Sequence, residues 1–215
     1  MVKLKKTGLN WLLVMAVSLL LTACSDESKQ AVNTDPVAFH SGDECHVCGM
    51  LVTEWPGPKG QSINTQNGET NKFCSTVDMF SWLLQPENKT LQAKIYVHDM
   101  AQTAWDKPED EHLVDAREAW YVMGSDLLGA MGPSIPSFAD RAAADKLAAE
   151  SGGRVLAFNE IDLSVLQEIA RAAHEHAAEM GDALQEQMHG EHVMPEHEPA
   201  THESAAEETD PHAGH

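Results

Sequence analysis

The sequence predicts an α+β fold of two small ββαβ units in tandem, with a disordered N-terminal tether and a His/Glu-rich C-terminal tail. Three observations carry this. Asn67-Gly68, a strong hairpin signal, stands between two strand-like segments, Gln61 to Gln66 and Glu69 to Phe73. Two short helical stretches, Asp78 to Leu84 and Asp140 to Ser151, are each followed by a strand-like run, Lys94 to Val97 and Arg154 to Phe158. The order strand, strand, helix, strand recurs after roughly 60–65 residues, with Phe73 and Phe138 leading into the helices.

Residues 1–23 read as a signal peptide. Lys3, Lys5 and Lys6 give a positive start, and Trp11 to Leu21 give an apolar run too short to span a bilayer comfortably. Leu21-Thr22-Ala23-Cys24 resembles a bacterial lipobox, which makes Cys24 the lipid-modified N-terminus of the mature chain. Such a lipid holds a protein on a membrane without spanning it. Ser25 stands where a retention signal usually places Asp, so the expected location is the periplasmic face, with the outer membrane favoured. That compartment is oxidising, and thiols left free there need protection.

Residues 24–43 are polar and read as the tether. The first unit spans 44–110, with Trp55-Pro56-Gly57-Pro58-Lys59-Gly60 punctuated as a loop and its helix stopped by Pro86. The second spans 111–170, with a strand over Ala119 to Met123 and then a Gly/Pro-rich loop. Residues 171–215 differ in composition. From His174 onward there are 8 of the 12 histidines and 11 acids, with no Lys, Arg or aromatic residue. No packed core forms from that composition, although Ser164 to Leu184, rich in Ala and Glu, fits a helix. The tail reads either as a loose Zn²⁺, Cu²⁺ or Ni²⁺ binder or as a solvated acidic segment. Without residues 1–23 the chain has 11 basic and 34 acidic residues, a formal −23. Nucleic acid is excluded as a partner, because phosphate binding needs a basic face.

The chemistry concentrates in Cys45-His46-Val47-Cys48-Gly49-Met50. Thiolates and a thioether beside an imidazole suit Cu(I) and not oxygen-seeking cations. If the stretch is extended, His46, Cys48 and Met50 share one face. If it turns tightly, Cys45 and Cys48 converge instead. Cys-x-x-Cys alone also serves zinc knuckles, redox dithiols and structural disulfides. Met50 tilts the balance toward copper, with Zn²⁺ as the other candidate, because zinc sites use thiolate, imidazole and carboxylate. Cys74 stands at a strand-to-helix entry, where a helix N-terminus lowers a thiol pKa; it reads as a third thiol or a structural cysteine. His98, Asp99 and Met100 follow a strand end and form a candidate rim, Met100 equally a core residue. Enzyme signatures are lacking: there is no phosphate loop, dinucleotide fingerprint or nucleophile elbow. On these residues Cu(I) binding is favoured over Zn²⁺ binding by Met50 alone. The alternatives are a thiol–disulfide oxidoreductase using Cys45 and Cys48, or a zinc-stabilised lipoprotein using Cys45, Cys48, Cys74 and a histidine.

Several segments in order strengthen the first reading. CHVCGM, Trp55-Pro56-Gly57-Pro58-Lys59, Phe73-Cys74-Ser75-Thr76, Tyr96-Val97-His98-Asp99-Met100, Val122-Met123-Gly124-Ser125 and Gly129-Ala130-Met131-Gly132 together resemble the NosL family, lipoprotein accessory factors of nitrous oxide reductase. The resemblance covers Cys45 to about Glu160 and includes the lipobox, while the His-rich tail lies outside it. It implies a periplasmic Cu(I) metallochaperone. The implied partners are nitrous oxide reductase, a copper-loading ABC-type transporter complex, and the membrane through the lipid anchor. It also implies two ββαβ units, similar to part of the organomercurial lyase fold. Family copper ligation by Cys, Met and His, carried onto this chain, puts Cys48 and Met50 first. His46 is the favoured histidine if the segment is extended, with His98 the other choice.

Overall fold

The computed structural model describes residues 31–190, with side chains to residue 185. The signal peptide, Cys24 and residues 191–215 lie outside the described residues. The first ββαβ unit consists of β1 (Gly60–Asn64), β2 (Thr70–Phe73), α1 (Thr76–Leu83) and β3 (Ala93–His98). A further strand, β4 (Leu113–Asp115), extends its sheet to the antiparallel order β2-β1-β3-β4. In the second unit β5 (Trp120–Met123) is followed by a small hairpin, β6 (Leu128–Gly129) and β7 (Gly132–Pro133). Then come β8 (Ser137–Phe138), α2 (Arg141–Ser151) and β9 (Arg154–Ala157). Their sheet has the order β8-β5-β9. In each unit the first strand thus lies between the second and the third, and the helix joins the outer two. The chain closes with α3 (Leu163–Gly190).

Local chemistry sets the element ends. Ser75 caps α1, its Oγ accepting the Asp78 N–H at 3.1 Å. Asp140 caps α2 by accepting from the Ala142 N–H at 3.0 Å. Gly60 lets α1 approach the sheet: a Cβ there would stand 2.7 Å from the Met79 sulfur. The hairpin differs from a two-residue turn. Asn64 pairs with Glu69, so Asn67-Gly68 sits in a four-residue loop, where the Asn64 and Asn67 side-chain carbonyls take the Gln66 and Glu69 N–H groups.

The two units share one core. Phe73, Met79 and Phe80 of the first pack in the same buried group as Tyr121 and Ile135 of the second, with Ile161, Val165 and Ile169 closing it. The Phe80 and Tyr121 rings meet edge to face at 5.0 Å, and the Thr76 hydroxyl donates to the Ile135 carbonyl at 2.6 Å. β4 lies beyond residue 110, the boundary expected between the units, yet pairs with β3 of the first.

Two tail expectations need correction. The half of the tether nearest the fold is bound to it. Gln61, buried on β1, pairs its amide with both backbone groups of Val37 at 2.9 Å, and Tyr96 donates to the Thr34 carbonyl at 2.8 Å. The Asp110 carboxylate accepts the Phe39 N–H at 2.9 Å, and Lys72 forms an ion pair with Asp43. A buried amide needs partners, and the polar segment supplies them from its backbone. At the other end, α3 takes in the helix expected over Ser164 to Leu184 and continues to Gly190, so the region expected as a disordered tail from residue 171 begins as helix, its side chains from Ala177 to Gln185 exposed. None of the described helices is long and apolar enough to cross a membrane.

Candidate metal centre

The Cys45–Met50 segment folds as a tight turn, which settles the choice between extended and turned geometry. The Cys45 N–H donates to the Met50 carbonyl at 2.8 Å, and the Gly49 N–H to the Cys45 carbonyl at 2.9 Å. Glu44 and Leu51 pair across its base. Gly49 has φ 74°, a conformation that glycine adopts without a Cβ clash. The His46 N–H, bonded to the Lys72 carbonyl at 2.8 Å, pins the turn to β2. β2 then runs directly into Cys74 and the capped start of α1, which brings Asp78 beneath the turn.

Four donor atoms meet there. The Cys45, Cys48 and Cys74 sulfurs and an Asp78 carboxylate oxygen all lie within 4.8 Å of one another. Cys74 donates to Asp78 Oδ2 at 3.1 Å, Cys45 lies 3.4 Å from the same oxygen, and the Cys48 and Cys74 sulfurs are 3.5 Å apart. Cys45, Cys74 and Asp78 are buried, whereas Cys48 is half-buried beside Val47, which is 43% exposed. One edge of the site is therefore open. All three cysteines are free thiols.

The thiols differ electrically. The adjoining Cys74 thiol, helped by the N–H groups of Cys48, Cys74 and Val47, pulls the Cys45 pKa down to about 5. Cys74 moves the other way, held protonated by the neighbouring Cys45 sulfur, by burial and by the Asp78 carboxylate. The expected lowering of the Cys74 pKa by the helix N-terminus is thus overturned. Ser75 already meets the Asp78 N–H, and Asp78 itself sets a negative charge at that end. Burial raises Cys48 as well. A metal ion would take the place of the remaining thiol protons. Nearby, the buried Lys59 ammonium donates to the Trp55 and Pro56 carbonyls, and burial lowers its pKa to about 8.

A family model for NosL matches residues 36–166, well over half of the chain. The chain belongs to the NosL family. It is 50% identical over 171 residues to the copper-binding lipoprotein NosL of Stutzerimonas stutzeri, covering 80% of this chain and 89% of that protein. It is 33% identical over 159 residues to the copper-binding lipoprotein NosL of Achromobacter cycloclastes, covering 73% and 81%. The crystal structure of the copper chaperone NosL from Shewanella denitrificans superposes with a TM-score of 0.59 at 44% identity, covering 61% of this chain and 98% of that one. The family match ends at residue 166, so most of α3 and the His-rich tail extend beyond it.

Of the NosL-type site residues named from sequence, the fold brings together Cys45, Cys48 and Cys74. Met50 packs half-buried against the core group that holds Cys45 and Cys74. His46 does not join the thiols; its exposed ring stands edge-on to Trp82 and Phe73, at 5.7 and 6.2 Å. His98 lies elsewhere, in a cavity of about 460 Å³ with Phe39, Lys59 and Asp110. Its Nδ1 accepts the Lys59 N–H at 3.1 Å, so the ring proton sits on Nε2 and neither nitrogen offers a lone pair to a metal. Asp99 caps the turn after β3 by accepting the Ala101 N–H at 3.1 Å, and Met100 packs into the second unit's core. Asp78 was missed. Its signal was Ser75-x-x-Asp78, a capping pattern, with a cysteine one helical turn before the carboxylate.

Proposed function

We propose that this chain is a lipid-anchored periplasmic Cu(I) chaperone that supplies copper for the maturation of nitrous oxide reductase, working with a copper-loading ABC-type transporter complex. The observation that carries the reading is the convergence of three thiols within 4.8 Å, one of them half-exposed. Thiolates select Cu(I), and Met50, next to the turn that bears two of them, is the residue we assign as the thioether donor. An open edge at Cys48 lets an incoming ligand share the ion before the departing ones release it. Transfer is then a ligand exchange, with no chemistry on a substrate, and the protein is not an enzyme. Cys24 is the lipidation site, and the outer membrane is the favoured location. The relatives' names, copper-binding lipoprotein and copper chaperone, support the coarser part of this reading.

The test is direct transfer. Chain loaded with Cu(I) is mixed anaerobically with copper-free nitrous oxide reductase, and copper in each protein is measured after separation. Copper moving to the reductase, and failing to move from a Cys48→Ser chain, is the expected result; copper staying on the parent chain contradicts it.

Asp78 favours one second reading. Three cysteines and a carboxylate are a recognised zinc donor set, and a hard oxygen adds little for Cu(I). Under that reading the ion would be structural.

A further inference from the structure

We propose that Cys48 and Cys74 also form a reversible disulfide, made by exchange with an incoming disulfide whenever the site holds no metal. The sulfurs are 3.5 Å apart, against about 2.0 Å in a disulfide, so a small side-chain movement joins them. The two thiols are unequally placed, as exchange requires. Cys48 is half-exposed and open to an outside reagent; Cys74 is fully buried directly behind it. Cys45 is buried too, and among the described residues the sulfur in direct contact with Cys48 is that of Cys74. The sequence alone points to Cys45 and Cys48 as a redox pair; the geometry points to Cys48 and Cys74.

Exchange runs in two steps. Cys48 gives up its thiol proton and attacks an external disulfide RSSR, forming Cys48–S–S–R and releasing RS⁻, which takes up a proton. Cys74 then gives up its proton through the Asp78 carboxylate 3.1 Å away and attacks the Cys48 sulfur, releasing the second RS⁻. Two electrons pass from the cysteine pair to RSSR, and the two thiol protons leave with the two RS⁻ groups as RSH. The product has lost two of the four donors, so it holds no ion until a dithiol reductant reverses the exchange. A dithiol–disulfide reductase reaction must then precede metal loading. This consequence rests on the periplasmic copper reading, because that compartment is oxidising; the disulfide chemistry itself does not. A disulfide also shields both sulfurs from irreversible oxidation to sulfinic acid.

The test uses the full-length chain bearing Cys24→Ser, metal-free and reduced. It is incubated with oxidised glutathione, alkylated, and mapped by peptide mass spectrometry. Free thiols are expected to fall from three to one, with Cys45 alkylated and Cys48 joined to Cys74. Cys74→Ser is expected to stop at a glutathione adduct on Cys48, and Cys48→Ser to keep both of its thiols. Cys45→Ser, which leaves the pair intact, is expected to lose both and serves if Cys74→Ser does not fold. A Cys45–Cys48 bond, a stable glutathione adduct on the parent, or three surviving thiols would overturn the proposal. Prior loading with Cu(I) is expected to preserve all three thiols. If Cu(I) gives no protection and the Cys48–Cys74 bond still forms, the disulfide stands and the copper reading fails.

Discussion

Cys74 and Asp78, one helical turn apart, are joined by a thiol-to-carboxylate hydrogen bond of 3.1 Å. The same oxygen lies 3.4 Å from the Cys45 sulfur, so a single buried carboxylate borders two of the three sulfurs and holds one of them by a hydrogen bond. Its role separates the two candidate ions. Asp78→Asn keeps the shape but removes the charge, so Zn²⁺ affinity should fall steeply while Cu(I) affinity falls by only ~10–100-fold, the scale of supporting contacts. Parallel titrations with Zn²⁺ and Cu(I) decide this, and equal losses would count against a sulfur-dominated copper site.

Cys45 should carry a thiolate in the metal-free protein at neutral pH. Following thiolate absorbance in the ultraviolet, we expect one ionisation near pH 5 in the parent. That step should vanish in Cys45→Ser and persist in His46→Ala. A chain whose thiols ionise only at alkaline pH would refute the assignment.

Buried His98 makes stability depend on pH in a defined direction. Burial depresses its folded pKa to about 4, against an unfolded value near 6.5. Between those values the unfolded chain binds a proton that the folded chain refuses, so stability falls as pH drops from about 6.5 to 4 and changes little below that. The full effect is about 3 kcal/mol. Urea unfolding across this range should show it, and His98→Gln should flatten this part of the profile whatever its stability at pH 7.

The repeated ββαβ order was legible because each unit carries its own local signals: a helix cap, a Gly-containing loop and strand-like runs. Residues 113–115 and the β6–β7 hairpin were not, since strands of two or three residues owe their pairing to neighbours brought in by the fold. The bound tether was hidden for a related reason. Nothing in Thr34 to Ala38 reads as ordered until the buried Gln61 and the half-buried Tyr96 take its carbonyls. At the site, ligand types were legible and geometry was not. Alternation placed His46 beside Cys48, whereas the turn closed by Gly49 sends it toward Trp82.

The helix beyond the family match should be dispensable for the site. Its side chains from Ala177 to Gln185 are exposed, whereas Ile169 is buried and Ala173 lies against the β6–β7 hairpin. Truncation after His176 should therefore leave thermal stability and Cu(I) affinity unchanged while abolishing weak Ni²⁺ or Zn²⁺ retention. Loss of tight Cu(I) binding on truncation would move the site into the tail.

Met50→Leu preserves volume and removes the sulfur. The fold should survive while Cu(I) affinity drops by ~10–100-fold and Zn²⁺ affinity stays put. Unchanged Cu(I) binding would take Met50 out of the ligand set.

The most direct test of the three-thiol site is competition with a Cu(I) chelator under reducing, anaerobic conditions, comparing Cys45→Ser, Cys48→Ser, Cys74→Ser and His46→Ala in folded protein. Each cysteine variant should lose Cu(I) affinity by orders of magnitude and to a similar degree, because each removes a soft donor from one ion. His46→Ala should bind like the parent. A Cys74→Ser protein with parental affinity, or a His46→Ala protein as impaired as the cysteine variants, would contradict the site described above.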